Sequence, residues 1–418
     1  MSRSLKLLLI LVAGLAMLAG CSNDTDNEGG TDPPTEPPTL AFVGSDACAA
    51  CHTDIHMHWQ DSGHPYKLTK IDGVVPTGQF PTFSAFPGDP VDPPAGYTWA
   101  NVSYTIGGYG WKMRWIDDQG YIITQNDDTQ YNFENQTRVA YHAGDAIGTK
   151  PYDCGKCHTT GWVADEDHDT DNDLTDNQDG LPGMHGTFFA GGVHCEQCHG
   201  MGSQHVYSRD FEMSVDSSSA FCGECHTRNA DNSIAASGGY IKHHEQFDEW
   251  THSPHNNSGA PGCNNCHDPH SSVKMEGDAS GIGTTATCVS CHDDMELKHN
   301  GMPSCVDCHM PKASKSAIAV NLYQGDIKTH IWNINTAAEG KTDGMFNGDG
   351  SLVLEDGEGM AAVTLDFACY GCHRDADNVG GTFSPRTLQD LSDYVLGIGE
   401  YAGDGGIHSP TAPAVAGN

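Results

Sequence analysis

Apolar and polar positions alternate most clearly across residues 99–134. Val102-Ser-Tyr104-Thr-Ile106, Trp111-Lys-Met113-Arg-Trp115-Ile and Tyr121-Ile-Ile-Thr read as three strands, because alternation of branched and aromatic residues marks a half-buried strand. Gly107-Gly108 and Asp117-Asp-Gln-Gly120 break the run as turns,. The pattern predicts a small antiparallel sheet, with Gly107 to Gly110 a strand turn rather than a phosphate loop. A helical period returns over residues 385–396, where Leu388, Leu391 and Leu396 share a rough face,.

Two further stretches are set apart by hydropathy. Leu7 to Leu18 is an apolar run behind Arg3 and Lys6, too short for an ordinary membrane span and typical of an export leader. Leu18-Ala19-Gly20-Cys21 resembles the bacterial lipobox, which implies cleavage before Cys21 and its lipidation. Ser22 in place of Asp implies outer-membrane sorting. Residues 22–40 are rich in Asp, Pro and Gly and read as a flexible tether,.

The remaining chemistry is concentrated in one repeated unit. C-x-x-C-H occurs at Cys48–His52, Cys154–His158, Cys195–His199, Cys222–His226, Cys263–His267, Cys288–His292, Cys305–His309 and Cys369–His373. These are motifs 1 to 8 below. The pattern is that of c-type haem attachment. The thiols Cys48, Cys51, Cys154, Cys157, Cys195, Cys198, Cys222, Cys225, Cys263, Cys266, Cys288, Cys291, Cys305, Cys308, Cys369 and Cys372 would form thioethers. His52, His158, His199, His226, His267, His292, His309 and His373 would be proximal iron ligands,. Sixteen of the 17 Cys fall in the motifs, leaving only Cys21 and none for a disulfide framework or a Cys-rich zinc site.

Motifs 3 to 7 follow one another too closely for an apolar core to form between them. Short helices and loops are expected there, with haem supplying the buried bulk. The fold expected is therefore mostly irregular chain and short α-helices wrapped around eight covalently bound haems, plus the small β-sheet near residues 99–134. It divides into a lipoprotein leader (1–20), the tether (21–40), motif 1 with the sheet (41–150), a six-haem core (151–310), and motif 8 with a C-terminal helix and frayed tail (311–418).

The formal charge is −36, and losing Arg3 and Lys6 with the leader makes it more negative. Such a surface repels nucleic acid and anionic headgroups. It suits basic redox partners and metal oxides, and equally serves as a solvated face. Asp167, Asp169, Asp171 and Asp173 alternate within residues 165–180, as in a calcium loop, without the EF-hand's closing Glu. A solvated acidic insertion is the plainer reading.

The stretches SGHPYKL (62–68), GGYGWKMRW (107–115), YDCGKCHTTGW (152–162), GGVHCEQCHGMGSQH (191–205), HHEQFDEWTHSPH (243–255), CNNCHDPH (263–270), CVDCHMPK (305–312) and DIKTHIWNI (326–334) resemble exported multihaem cytochromes of metal-reducing bacteria. Several recur in the superfamily of pentahaem nitrite reductases and octahaem hydroxylamine oxidoreductases. The resemblance implies distal iron ligands at His64, His142, His205, His244, His255, His270, His299 and His330, with His243 the alternative to His244. His194 and His168 are expected to be bystanders; His185, His252 and His408 stand in reserve. Relatives that reduce nitrite or tetrathionate carry Lys in place of one motif His, and this chain has no C-x-x-C-K.

Sixteen histidines outside the motifs suffice for bis-His coordination of all eight haems. The reading is an electron-transfer cytochrome, lipid-anchored at the outer membrane on its periplasmic or cell-surface face. It would pass electrons to other cytochromes or to metal oxides. The alternatives are a nitrite, hydroxylamine or sulfite reductase with one open haem, and a subunit of a cytochrome filament.

Overall fold

The alternating stretch builds the centre of a five-stranded sheet in a computed structural model of the chain. The described residues are 37–398, apart from 72, 75–90, 166–173, 261, 278–280, 296, 298, 300–302 and 376. The leader with Cys21, most of the tether, the centre of the acidic insertion with its calcium candidates, His168, His408 and the C-terminal tail lie outside them.

The sheet contains β1 (Leu68–Lys70), β2 (Val102–Gly107), β3 (Lys112–Asp117), β4 (Gln130–Asn132) and β5 (Thr137–Val139), antiparallel and in that order. Thr105 lies opposite Trp115 and Ile106 opposite Arg114. A register shift between Val102 and Tyr104 separates them: Tyr104, Ile106 and Ile116 join a core with Leu68, Tyr152 and Met184, whereas Val102, Met113 and Trp115 join Trp99, Ile123 and Phe133. The extra residue of a bulge turns the strand over, so both faces of the sheet are covered. Tyr121 to Thr124 is not a strand but a bridged loop, Ile116 to Ile122 and Tyr121 to Pro151. The reason is local: Asp117 Oδ1 accepts the N–H groups of Gln119 and Tyr121, winding the chain into an Asx turn.

The described helices are short, the longest being Leu388–Leu396. Its start is a capping box, with Thr387 and Asp390 each accepting the other's backbone N–H, and Gly397 ends it at φ 63°,. Leu391 is buried with Leu388 and Val395 beside it, while Leu396 points outward. The face is therefore i, i+3, i+7, and Leu396 does not belong to it. Residues 385–387 precede the helix. No helix among the described residues is long and apolar enough to cross a membrane.

The run of motifs is less bare of core than expected. Ile234, Ala236, Tyr240 and Ile241, from the long gap between motifs 4 and 5, pack with Ala313, Ile331, Val363 and Phe367. Close anchors forbid a core between adjacent motifs, but this gap is long enough to fold back onto the C-terminal segment.

Candidate cofactor-attachment sites

Most motifs lie on a single helical turn, whereas motif 6 starts as a 3-10 turn and His373 of motif 8 lies in a short strand. The N–H of His52, His226, His267 and His292 donates to the carbonyl of the first Cys of its own motif at 2.9–3.0 Å. Motifs 3 and 7 are the helices Cys195–His199 and Cys305–His309, and motif 2 holds the helix Gly155–His158. A 3.6-residue turn brings residues i and i+3 to one side, so both thiols face one edge and the imidazole follows beneath. The glycines of motifs 2 and 4 permit tight seating: a Cβ on Gly155 would overlap the Trp162 ring, and one on Gly223 would overlap Phe247.

Six motif histidines face a histidine from elsewhere in the chain. Ring centres are 6.4 Å apart for His52 and His205, 6.3 Å for His158 and His244, and 6.2 Å for His199 and His270. They are 6.1 Å apart for His267 and His330, 6.1 Å for His292 and His255, and 6.0 Å for His373 and His299. A metal–imidazole bond of about 2.0 Å, with about 1.1 Å from ring nitrogen to ring centre, places two axial rings about 6.2 Å apart across one metal ion. The spacing is too wide for ring stacking and fits a haem iron between each pair. His64 lies within reach of the His226 charge, which makes it the candidate partner of motif 4.

The second nitrogen is provided for on several of these rings, whereas Nδ1 of His158, His255, His299 and His330 is buried without a hydrogen-bond partner among the described residues. Nδ1 of His64 meets Pro269 O at 3.1 Å, that of His205 meets Phe211 O at 2.8 Å, that of His267 meets Gly283 O at 3.2 Å, and that of His309 meets Trp332 O at 2.8 Å. A carbonyl holding Nδ1–H leaves Nε2 free to ligate. Desolvation pushes His64 and His158 down to about 3 and His226 to about 4, so they stand neutral, as metal ligation requires. His226 nevertheless has accessible surface.

The other histidines are placed differently. His194 spends Nδ1 on Ser45 Oγ and Nε2 on Gly191 O. His252 spends them on Asp248 O and Glu355. His243 has Nε2 3.3 Å from the Lys112 ammonium. His142 lies on an exposed turn at φ 51°, with Nδ1 3.0 Å from Asp145, and the structure does not bring it against a motif histidine.

Neighbouring motifs come close through their thiols. Cys48 lies within interaction range of Cys195, Cys157 of Cys225, Cys222 of Cys263 and Cys288 of Cys305. Charge on Cys222 is felt from Cys198, on Cys266 from Cys291, and on Cys308 from Cys372. Together these run through motifs 1, 3, 4, 5, 6, 7 and 8, with motif 2 branching from motif 4.

Buried carboxylates fasten this arrangement, and sequence reasoning did not single them out. Glu196 of motif 3 accepts the N–H groups of Val43, Gly44 and Gly202, clamping the approach to motif 1. Glu249, only 1% exposed at its side chain, accepts from Ser314, Thr329 and the His330 N–H. Asp326 accepts three consecutive N–H groups, Ser316 to Ile318. Nothing local marks them; their partners lie up to 153 residues away. Glu249→Ala would strand buried donors, each costing about 1–3 kcal/mol. A loss of roughly 3 kcal/mol or more is expected in denaturant titration, with Glu249→Gln recovering part of it; an unchanged midpoint would refute the clamp.

No family model and no curated protein matches the chain. Among solved structures it is similar to the Wolinella succinogenes octaheme sulfite reductase MccA, form II, with TM-score 0.53 and 16% identity over 88% of this chain and 73% of that one. It also matches the outer cell wall cytochrome OcwA (TM-score 0.48, 16% identity, 85% and 86% covered). A third match is the undecaheme cytochrome from the S-layer of Carboxydothermus ferrireducens (TM-score 0.39, 15% identity, 67% and 52% covered). The first likeness shows a multihaem cytochrome fold.

Proposed function

We propose that this chain is an octahaem c-type cytochrome that carries electrons at the outer membrane, toward other cytochromes or metal oxides outside the cell. The observation that carries the reading is the set of facing imidazoles 6.0–6.4 Å apart. When bound, haem supplies a one-electron iron couple. The motif thiols would hold it covalently, and the motif histidines with His64, His205, His244, His255, His270, His299 and His330 would close both axial positions at seven of the eight haems, that of motif 7 with His309 excepted. Closed positions favour electron passage over substrate binding. Thiol proximity between motifs implies a continuous path from motif 1 to motif 8 with a side arm at motif 2. Cys21, lipidated, would anchor the protein.

A reductase reading draws support from the fold shared with an octaheme sulfite reductase. Low-temperature EPR of the oxidised protein, with intact mass for haem number, separates the two. Eight haems are expected, with low-spin signals from the seven whose motif histidine faces a second histidine. A high-spin haem together with sulfite, nitrite or hydroxylamine turnover would overturn the electron-carrier reading.

A further inference from the structure

Three cations converge on the space beside His158 and His244 in a chain with 20 Lys and Arg against 56 Asp and Glu. All three are part-buried, and in such a chain a carboxylate partner is the default for a cation withdrawn from water. None of the three has one among the described residues. The Lys112 ammonium donates to Ser316 O at 2.8 Å and lies 3.3 Å from His243 Nε2. Asp326 acts on it from nearby, but the Asp326 oxygens are taken by Ser316, Ala317 and Ile318. The Arg114 guanidinium donates twice to Gln130 Oε1 and sits 3.6 Å from the centre of the Tyr141 ring. The Lys67 carbonyl accepts from the Gly107 N–H, but its ammonium has no hydrogen-bond or ion-pair partner among the described residues.

Lys67 also occupies a particular place. Its charge bears on His64, His158, His226 and His244, which are the two imidazole couples of motifs 2 and 4. It follows His64 closely and immediately precedes β1, so the sheet fixes its backbone. Desolvation pushes the ammonium down although the residue keeps some accessible surface, and an anion in the same space would offset that cost.

We infer that Lys67, with Lys112 and Arg114 behind it, forms an anion site at the junction of motifs 2 and 4, receiving a carboxylate or a small oxyanion. Two sources share this chemistry: a propionate of a haem on either motif, or a free oxyanion such as sulfite or phosphate. The propionate source rests on the proposed haem attachment; the free-oxyanion source does not.

The test uses the full-length holoprotein, Lys67→Met and Lys67→Arg, each checked for haem number by intact mass. Optical redox titration without added anion is the first arm. If a propionate is the partner, Lys67→Met makes two haems harder to reduce by at least tenfold in equilibrium constant, 59 mV for a one-electron couple, and Lys67→Arg stays near the parent. The second arm adds sulfite, then phosphate. A spectral or potential change in the parent that Lys67→Met abolishes identifies a free oxyanion. A fully loaded Lys67→Met protein with unshifted potentials and no anion response overturns the inference. Should Lys67→Met not load haem, Lys112→Met is read against the same two outcomes. A parent protein that carries no haem would refute the proposed function instead.

Discussion

His244→Gly is expected to turn one further haem high-spin, whereas His243→Gly is expected to leave the spin states of the parent unchanged. The residues are adjacent and chemically identical, so only geometry separates them. Their rings stand 4.4 Å apart at 84°, and only His244 faces a motif histidine, His158, at 6.3 Å. Its backbone lies at φ 75°, an uncommon conformation for a side chain with a Cβ, and this reversal sends the two rings in different directions. His243 instead lies between the Lys112 ammonium and the Arg228 guanidinium. Glycine adopts positive φ without strain, so His244→Gly removes the imidazole and leaves the turn intact. EPR should show one high-spin signal beyond those of the parent, which added imidazole returns to low spin. His252→Gly and His142→Gly serve as controls and should behave like His243→Gly. Equal effects at 243 and 244 would overturn the assignment.

What could be read from the sequence is what covalent chemistry or short-range pattern imposes. Five residues suffice to specify a thioether turn, so all eight motifs were visible. Alternation over six residues exposed β2 and β3. It could not expose β1, β4 or β5, three residues each, where packing rather than pattern decides the conformation. The turn at Asp117 defeated the strand expected at Tyr121 for a different reason: a side-chain acceptor outcompeted the ladder.

The facing histidines form an intermediate case. Most followed from resemblance in local strings, yet which ring meets which depends on the fold. His64 and His226 are brought together from opposite sides of the sheet segment, and His270, three residues beyond motif 5, faces motif 3 instead. His142 shows the limit of local resemblance, since an aromatic neighbour and Asp145 hold it at the surface. Lys67, Glu196 and Glu249 carry no local signal at all. Their importance comes from what surrounds them.

Removing motif 4 is expected to cut electron passage between motifs 1 and 8, while removing motif 2 leaves it intact. Cys222 and Cys225 together reach motifs 2, 3 and 5, through Cys157, Cys198 and Cys263. Cys154 and Cys157 have one such neighbour in motif 4. The two deletions remove the same chemistry, one attachment site each, so a difference between them measures connectivity rather than haem number. The variants are Cys222→Ser/Cys225→Ser and Cys154→Ser/Cys157→Ser, both verified by mass to carry seven haems. A photosensitiser attached beside motif 8 delivers one electron per flash, and transient absorption follows its spread. In the motif 2 variant the electron should equilibrate over the remaining haems at the parent rate. In the motif 4 variant it should stay among motifs 5 to 8, reaching motifs 1 and 3 slower by orders of magnitude. Unslowed equilibration in the motif 4 variant would mean that thiol proximity does not trace the path, and the haem order proposed from it would fall.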